Sequence, residues 1–451
     1  MRSLKLNQLL IIYFVLWSST AQANIKLEIN IQKFPSAITD LLNKKDVVLN
    51  ENITLELGKI FFSVEKNHKK TIYDFKKKRI YKLNMLTRLY SDQSMFPVVM
   101  KRRLEFENAV KLATTDKNNN ALEAVLTQME HRFSIRNRER NKKALFLLSS
   151  NGKNNIVLND RKIFLEFSKD SLESSQASLV WFPVFLKYYC GVHPSILKIL
   201  KKKKEIPKKL NIYYSSFNDM TTLTILSLRT NPLESFSLKD FSIVEGGKFE
   251  FSPLINGIQR LNSEFFNQNS NNLLKVSKEA LKNEHFLEAM LGFLEYQFES
   301  GKKFHSSIEG KEERGLIEVA LNEEVVIKLM SALRPPIDSK DAEKKLLNLR
   351  KLQEVANTHR HILLFVEASI LRFQKKMEFS KILFLKLLER NPYLTEAWIE
   401  LGYLYLEKKQ FRNAWKCWDI AHKISPDHKR LMVIDRIKAL LLWNQQGFFY
   451  P

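Results

Sequence analysis

From residue 24 to about 92, apolar and polar positions alternate in short blocks. "KIFFSVEK", "TIYDFK" and "RIYKLN" are rich in Ile, Phe, Tyr and Val and are separated by charged turns, which predicts a meander or small curved sheet of short strands. In "TIYDFK", Thr71, Tyr73 and Phe75 alternate with Ile72, Asp74 and Lys76, a period of two that sends neighbours to opposite faces. From Ser94 the period lengthens. "SMFPVVMKRRLEFENAVKLA" and "ALEAVLTQMEHRF" read as helices, with "TTDKNNN" as the loop between them. Strand patterns return in "KALFLLSS", "NNIVLND" and "KIFLEFS", the first two joined by a turn at Asn151 and Gly152. A helical stretch over about 172–204 contains "SLVWFPVFLKYYCG", which Pro183 and Lys187 interrupt and which reads as a buried core element. His193-Pro194 starts the helix "SILKIL", and "KLNIYYSS" and "TLTILSLRT" are the last clear strands. Beyond about residue 256 only helix and loop remain. Strands first and helices afterwards predict an α+β N-terminal domain over 24–255, then an all-α region.

The helical region carries a spacing rule. In "WIELGYLYLEKKQFRNAWKCWDIAHKISP", the residues Trp398, Leu401, Gly402, Tyr405, Ala414, Trp418, Ala421 and Pro426 stand at set intervals. Gly402 and Ala414 are small where two helices cross closely; Tyr405 and Trp418 fill the space between pairs; Pro426 stops the second helix. One period earlier, Pro392, Phe384, Ala368 and Ser380 echo Pro426, Trp418, Gly402 and Ala414, with Leu364 in place of the Trp. A weaker echo places Leu273, Ser277, Ala280, Ala289, Phe293 and Tyr296 at equivalent positions, with Gly301 for the Pro. This pattern resembles the tetratricopeptide repeat, W-x2-L-G-x2-Y followed by Ala, an aromatic and Pro over a 34-residue period. The resemblance covers about 270–303 loosely and 361–428 well. Pro335 and Pro336 in "LRPPID" interrupt it between. The expected organisation is thus a 256–360 helical region with one degenerate unit, then 361–451 with repeats and a closing, solvent-facing helix over 429–445. The fold class is an α+β domain followed by an all-α, TPR-like helical-hairpin solenoid.

The resemblance implies binding of a protein partner along the face lined by the first helix of each pair. Its candidate residues are Phe365, Ser369 and Arg372, then Ile399, Tyr403 and Leu406. Ile399 and Tyr403 stand where some family members place a carboxylate clamp, so an apolar or mixed groove is implied. The same repeats could instead dock only on the chain's own α+β domain.

Ahead of the first strand, Arg2 and Lys5 precede an apolar run from Leu9 to Trp17 and then "SSTAQA", with Ala21 and Ala23 at the small-residue positions. This order is that of a secretory signal cleaved after Ala23. It points to a bacterial periplasmic or secreted protein, and no later segment is apolar enough to span a bilayer. Cys190 and Cys417 are the two cysteines, too few for a disulfide framework.

The formal net charge is +24, which favours acidic partners, although a Lys-rich proteome gives the same balance. Residues 59–103 carry 13 Lys or Arg against three acids. Two clusters stand out, Lys76, Lys77, Lys78, Arg79 with Lys101, Arg102, Arg103, and then Lys201, Lys202, Lys203, Lys204. They are candidates for an anionic envelope polymer such as lipopolysaccharide, or simply solvated charge runs; export argues against nucleic acid.

Catalytic patterns such as H-E-x-x-H, G-x-S-x-G and the phosphate-cradling Gly loops are missing from the sequence, and no cofactor motif is found. His359 and His361 flank Arg360; on a helix they would diverge, which reads as surface or capping histidines and not a metal pair. The expectation is a non-catalytic envelope protein that mediates interaction or assembly, with polyanion binding as the alternative and an enzyme of unrecognised family as the third.

Overall fold

The computed structural model describes residues 24–34, 49–114, 119–135, 145–159, 162–172, 180–203, 205–214, 219–231, 236–244, 249–258, 263–302 and 311–449. They form a sheet-rich region followed by an all-helical one. Two compact units result: residues 1–244 together with 445–451, and residues 245–444. The dividing line falls at Val244/Glu245, ahead of 255, because Phe249 and Phe251 pack with the helices. The Phe251 ring lies 5.6 Å from Trp398 and 5.7 Å from Tyr405.

In the first unit, β1 (Asn24–Phe34), β2 (Leu49–Leu57), β3 (Phe61–Lys66), β4 (Lys69–Asp74), β5 (Arg79–Asn84) and β6 (Leu89–Ser94) form an antiparallel meander. Two helices follow, α1 (Phe96–Thr114) and α2 (Asn119–Phe133), and then β7 (Leu147–Asn151), β8 (Asn154–Asn159), β9 (Lys162–Ser168) and β10 (Ser171–Leu172). Next come α3 (Trp181–Phe185), a π-helix (Leu186–Cys190) and α4 (Pro194–Lys203). The unit's last strands are β11 (Ile206–Pro207), β12 (Lys209–Tyr214), β13 (Asp219–Asn231) and β14 (Ser242–Ile243). Twelve of these strands make one sheet in the order β14-β6-β5-β4-β3-β2-β1-β13-β12-β9-β8-β7, while β10 and β11 pair separately.

The alternation of β1 explains its central place. Ile25, Leu27, Ile29 and Ile31 are fully buried and lie opposite Leu57, Leu55 and Ile53 of β2 and Ile225 and Leu223 of β13. On the other face Asn30 donates to Asn50 and Asn52, the polar side of a sheet buried on one face. Farther out both faces are covered. Phe62 and Tyr73 stack at 4.5 Å and meet the π-helix through Tyr188, while Ile72 packs with Phe61, Tyr81 and Leu83 on the opposite side.

The second unit contains α5 (Ser252–Ile258), α6 (Ser263–Lys282), α7 (Phe286–Ser300), α8 (Lys311–Asn322), α9 (Glu324–Leu333), α10 (Ser339–Val355), α11 (Ile362–Phe373), α12 (Met377–Arg390), α13 (Thr395–Glu407), α14 (Phe411–Ile424) and α15 (Leu431–Asn444). Three hairpins, α6–α7, α11–α12 and α13–α14, share one turn. Glu284, Lys375 and Lys409 each adopt a left-handed backbone, with φ of 59°, 60° and 58°. The next residues, His285, Lys376 and Gln410, have ψ of 62°, 60° and 61°. Each returns its N–H to the carbonyl five residues back, at Ala280, Leu371 and Tyr405, the closing bond of a Schellman motif. The 34-residue echo in the sequence is thus a repeated backbone geometry. At the helix crossing Gly402 leaves room for the Trp418 indole, whose Nε1 donates to the Ile399 carbonyl at 3.3 Å.

Helix α7 is the centre of this unit. Ten of its residues, among them Ala289, Leu291, Phe293, Glu295 and Glu299, are buried, and it packs against α6, α9, α11 and α13. A helix buried on all sides needs apolar residues all round, and "FLEAMLGFLEYQFES" supplies them except at its glutamates, Gln297 and Ser300. The closing helix α15 buries Leu431 and Ile434 and leaves Met432, Val433, Asp435, Arg436, Leu440 and Trp443 exposed, Trp443 at 67 %, so its outer face carries apolar residues beside charged ones. The last element, α16 (Gln446–Phe449), belongs to the first unit.

Candidate functional site

The π-helix sets the geometry of a cavity of about 450 Å³ in the first unit. Its five-residue bond runs from the Gly191 N–H to the Leu186 carbonyl at 2.9 Å. Arg102 of α1 donates to the Lys187 carbonyl at 2.9 Å and to that of Tyr188, satisfying oxygens that the wider helix leaves without an ordinary partner. Gly191 ends it at φ +73°, and a Cβ there would sit 2.2 Å from the Arg132 carbonyl, so only glycine fits.

The cavity walls are Tyr188, Tyr189 and Cys190 of the π-helix, Lys33 and Phe34 of β1, Arg102 and Glu105 of α1, Arg132 and Phe133 of α2, and the facing ends of β12 and β13 at Tyr214 and Asp219–Thr221. Three cations face two acids across aromatic surface. Burial holds the Arg102 guanidinium below its ordinary value, and its two bonds go to neutral carbonyls, which do not cancel its charge. Burial opposes ionisation of Glu51, but hydrogen bonds from Lys66 and Tyr189 and the charge of Lys33 outweigh it and lower the carboxyl. Tyr189 donates to Glu51 at 3.0 Å. Burial pushes the Cys190 thiol up to about 12, far from nucleophilic readiness. Volume, aromatic walls and a few convergent charges are the features of a small-ligand site.

Behind this wall lies α16. The Lys187 ammonium stands 4.0 Å from the Phe448 ring centre and Arg102 stands 5.6 Å from it. Tyr188 donates to the Phe448 carbonyl, and Lys78 donates to that of Phe449 at 3.0 Å. Burial, with Arg102 adding, pushes Lys187 down to about 7.

The basic residues singled out in the sequence separate on this frame. Lys76 and Lys77 are exposed on the β4–β5 turn. Lys78 is half-buried on Phe449, and Arg79 pairs with Asp92 at 2.6 Å. Lys101 and Arg103 are exposed and sit near Glu105 at 3.7 Å and Glu107 at 2.6 Å, whereas Arg102 turns inward. Lys201, Lys202 and Lys203 are exposed at the end of α4, and Lys202 and Lys203 flank Leu148 of β7. Seven strands lie between β4 and β7 in the sheet order. Lys204 lies outside the described residues, as does the segment 1–23.

The helical groove candidates are corrected in part. Phe365 and Ile399 are buried. The Phe365 ring lies 4.2 Å from Phe298 of α7, so the chain's own helix occupies the face expected to receive a partner. Ser369, Arg372, Tyr403 and Leu406 are half-buried. Arg372 pairs with Glu400 and Glu407 and stands 5.7 Å from the Tyr403 ring. Arg430 pairs with Glu396 at 2.5 Å and with Glu400.

His359 is buried and not a surface residue, whereas His361 is half-buried and is the N-cap residue of α11, although its side chain makes no cap bond. They precede α11 in a turn, so the helical divergence does not apply, and both bond one α7 carboxylate. His359 Nδ1 lies 2.6 Å from Glu295 Oε2, and His361 Nε2 lies 2.8 Å from Oε1. Asn391 donates to Glu295 and to Glu299, the latter at 2.8 Å, and Ser270 donates to Glu299 at 3.0 Å. Burial alone would raise Glu295, but the His359 and His361 bonds bring it down to about 2. Burial, with Glu295 adding, pushes Glu299 up to about 7. Among the described residues no group of three or more His, Cys, Asp or Glu could hold a metal ion.

No family model matches the chain, and no curated protein sequence matches it. Among the described residues no helix is long and apolar enough to cross a membrane.

Proposed function

We propose that this chain is an exported, non-catalytic envelope protein whose sheet unit binds an amphipathic anion, such as a phosphorylated or carboxylated lipid. The observation that carries the reading is the cavity at Arg102. About 450 Å³ of space is walled by Tyr188, Tyr189, Phe34 and Phe133 and bears Lys33, Arg102 and Arg132, so aromatic faces meet an acyl or ring body and guanidinium groups meet the anion. Dodecyl phosphate, titrated calorimetrically into the chain lacking residues 1–23, should bind, and dodecyltrimethylammonium should not. Combined Lys33→Ala and Arg132→Ala should weaken the phosphate by roughly tenfold or more, the loss of a charge-assisted contact. Equal binding of the two detergents, or no effect of the variants, refutes the reading. Release of a mature chain beginning at Asn24 would support export.

A second reading, a protein-interaction module of the tetratricopeptide type, is favoured by a different observation. Val433, Leu440 and Trp443 stand exposed on α15 at near-helical spacing, an apolar stripe of the kind that receives a partner. Capture of one envelope protein that survives high salt and is lost on Leu440→Glu with Trp443→Glu would support it.

A further inference from the structure

Strand β7 ends the sheet. It pairs with β8 on one side, and among the described residues it has no second neighbour. Natural edge strands are blunted by charge, Pro, bulges or shortness, yet "LLSSN" has no charge and no Pro, and all five residues are exposed. The sheet's own rows run off this edge unfinished. Leu148 lies opposite Val157, Val157 opposite Leu165, and Leu165 opposite Ile212. Val157, Leu165 and Ile212 are fully buried, whereas Leu148 is 44 % exposed. On the opposite face Leu147, Leu158 and Ile163 form a second row, with Leu147 and Ile163 exposed. One further strand would cover the outer end of both.

We infer that β7 is a docking edge for an extended acidic segment of another protein, which adds to the sheet as its next strand. The charge beside the edge selects that occupant. A groove of about 370 Å³ alongside β7 is floored by Phe146, Leu148 and Ile199 and rimmed by Lys202 and Lys203. A strand laid there presents alternate side chains to the groove, and carboxylates on it meet the two ammonium groups. A second copy of this chain is disfavoured, because pairing β7 with β7 brings two such lysine sets together on molecules of net charge +24. Main-chain bonds to the edge that no described strand pairs give affinity, and the lysines give sign selectivity.

The test titrates a dye-labelled peptide of alternating Val and Glu, about eight residues long, into the full chain and follows its anisotropy beside a Val/Lys peptide of equal length. The Val/Glu peptide should bind, and should weaken as salt rises. Leu148→Lys, at a half-exposed position and with thermal unfolding followed as the control for the fold, should weaken it roughly tenfold, because a charge is placed in the unfinished apolar row. Lys202→Glu with Lys203→Glu should reverse the preference to the Val/Lys peptide. Failure of the Val/Glu peptide to bind, equal binding of the two peptides, or indifference to Leu148→Lys overturns the inference. A concentration-dependent dimer abolished by Leu148→Lys overturns it in favour of self-pairing.

Discussion

Two glycines in the helical unit should respond to the same substitution with opposite sign. Gly315 lies in α8, and a Cβ built there meets nothing within 4 Å. Gly315→Ala should therefore show only the helix-propensity gain, about 1 kcal/mol. A Cβ at Gly402 of α13 would stand 2.2 Å from Trp418 Nε1 and 2.5 Å from Cδ1. The indole has nowhere to go: it is fully buried, with Trp415 at 5.2 Å and Tyr403 at 5.5 Å. Overpacking of this kind costs about 1–3 kcal/mol, and displacing the ring also loses its bond to Ile399, worth about 1 kcal/mol. Set against the same propensity gain, Gly402→Ala should be destabilising by roughly 1–3 kcal/mol. Calorimetry would read this as a fall of about 2–4 °C per kcal/mol for a unit of this size, with a rise for Gly315→Ala. Adding Trp418→Phe to Gly402→Ala should recover part of the loss, a coupling that independent sites do not show. If Gly402→Ala raises the midpoint as Gly315→Ala does, the close crossing is wrong.

Glu299 gives a pH signature. Its carboxyl is pushed from an ordinary 4.5 up to about 7, so the folded chain holds that proton more tightly than the unfolded chain. Its penalty is therefore absent below about 4.5, grows as pH rises through that window and is complete above about 7, at roughly 3 kcal/mol. Glu299→Gln keeps an acceptor for Asn391 and reverses the Ser270 bond, its amide donating to the hydroxyl, and should raise stability at pH 8 and flatten this part of the urea-midpoint profile; an unchanged slope would count against it. Cys190 and Cys417 are free thiols whose ionisation burial opposes, so in the native protein maleimide should leave the buried Cys417 unlabelled and react only slowly with Cys190 on the cavity wall, and in urea it should label both.

Much of this architecture can be read from local pattern. Ile25, Leu27, Ile29 and Ile31 announce a strand buried on one face, and the 34-residue interval from Lys375 to Lys409 is visible because each hairpin is built from residues close in sequence. What was hidden depends on distant partners. The π-helix shows no periodic signal of its own, since the donor that steadies its carbonyls is Arg102, 85 residues upstream of Lys187. Arg102 reads as one of a charge run and is in fact its inward member. His359 and His361 converge because a turn replaces the helix assumed there, and their shared carboxylate is 64 residues away from His359. The role of α7 had a signal in the all-round apolar character of "FLEAMLGFLEYQFES", but which helices it would fill could not follow from that. Phe249 and Phe251 sit in a turn-rich stretch whose composition says nothing of Trp398.

The segment that carries Phe448 and Phe449 makes the sheet unit discontinuous, with the helical unit as a long insertion between its two pieces. Synthesis proceeds from the amino end, so Tyr188, Lys187 and Lys78 are made some 260 residues or more before the aromatic turn that they hold. Until then Lys187 and Arg102 lack the ring between them. The support behind the cavity wall is thus made only after the helical unit, and a chain cut short anywhere in the helical unit leaves the first unit without it. Completion of the first unit therefore reports that the second has already been synthesised.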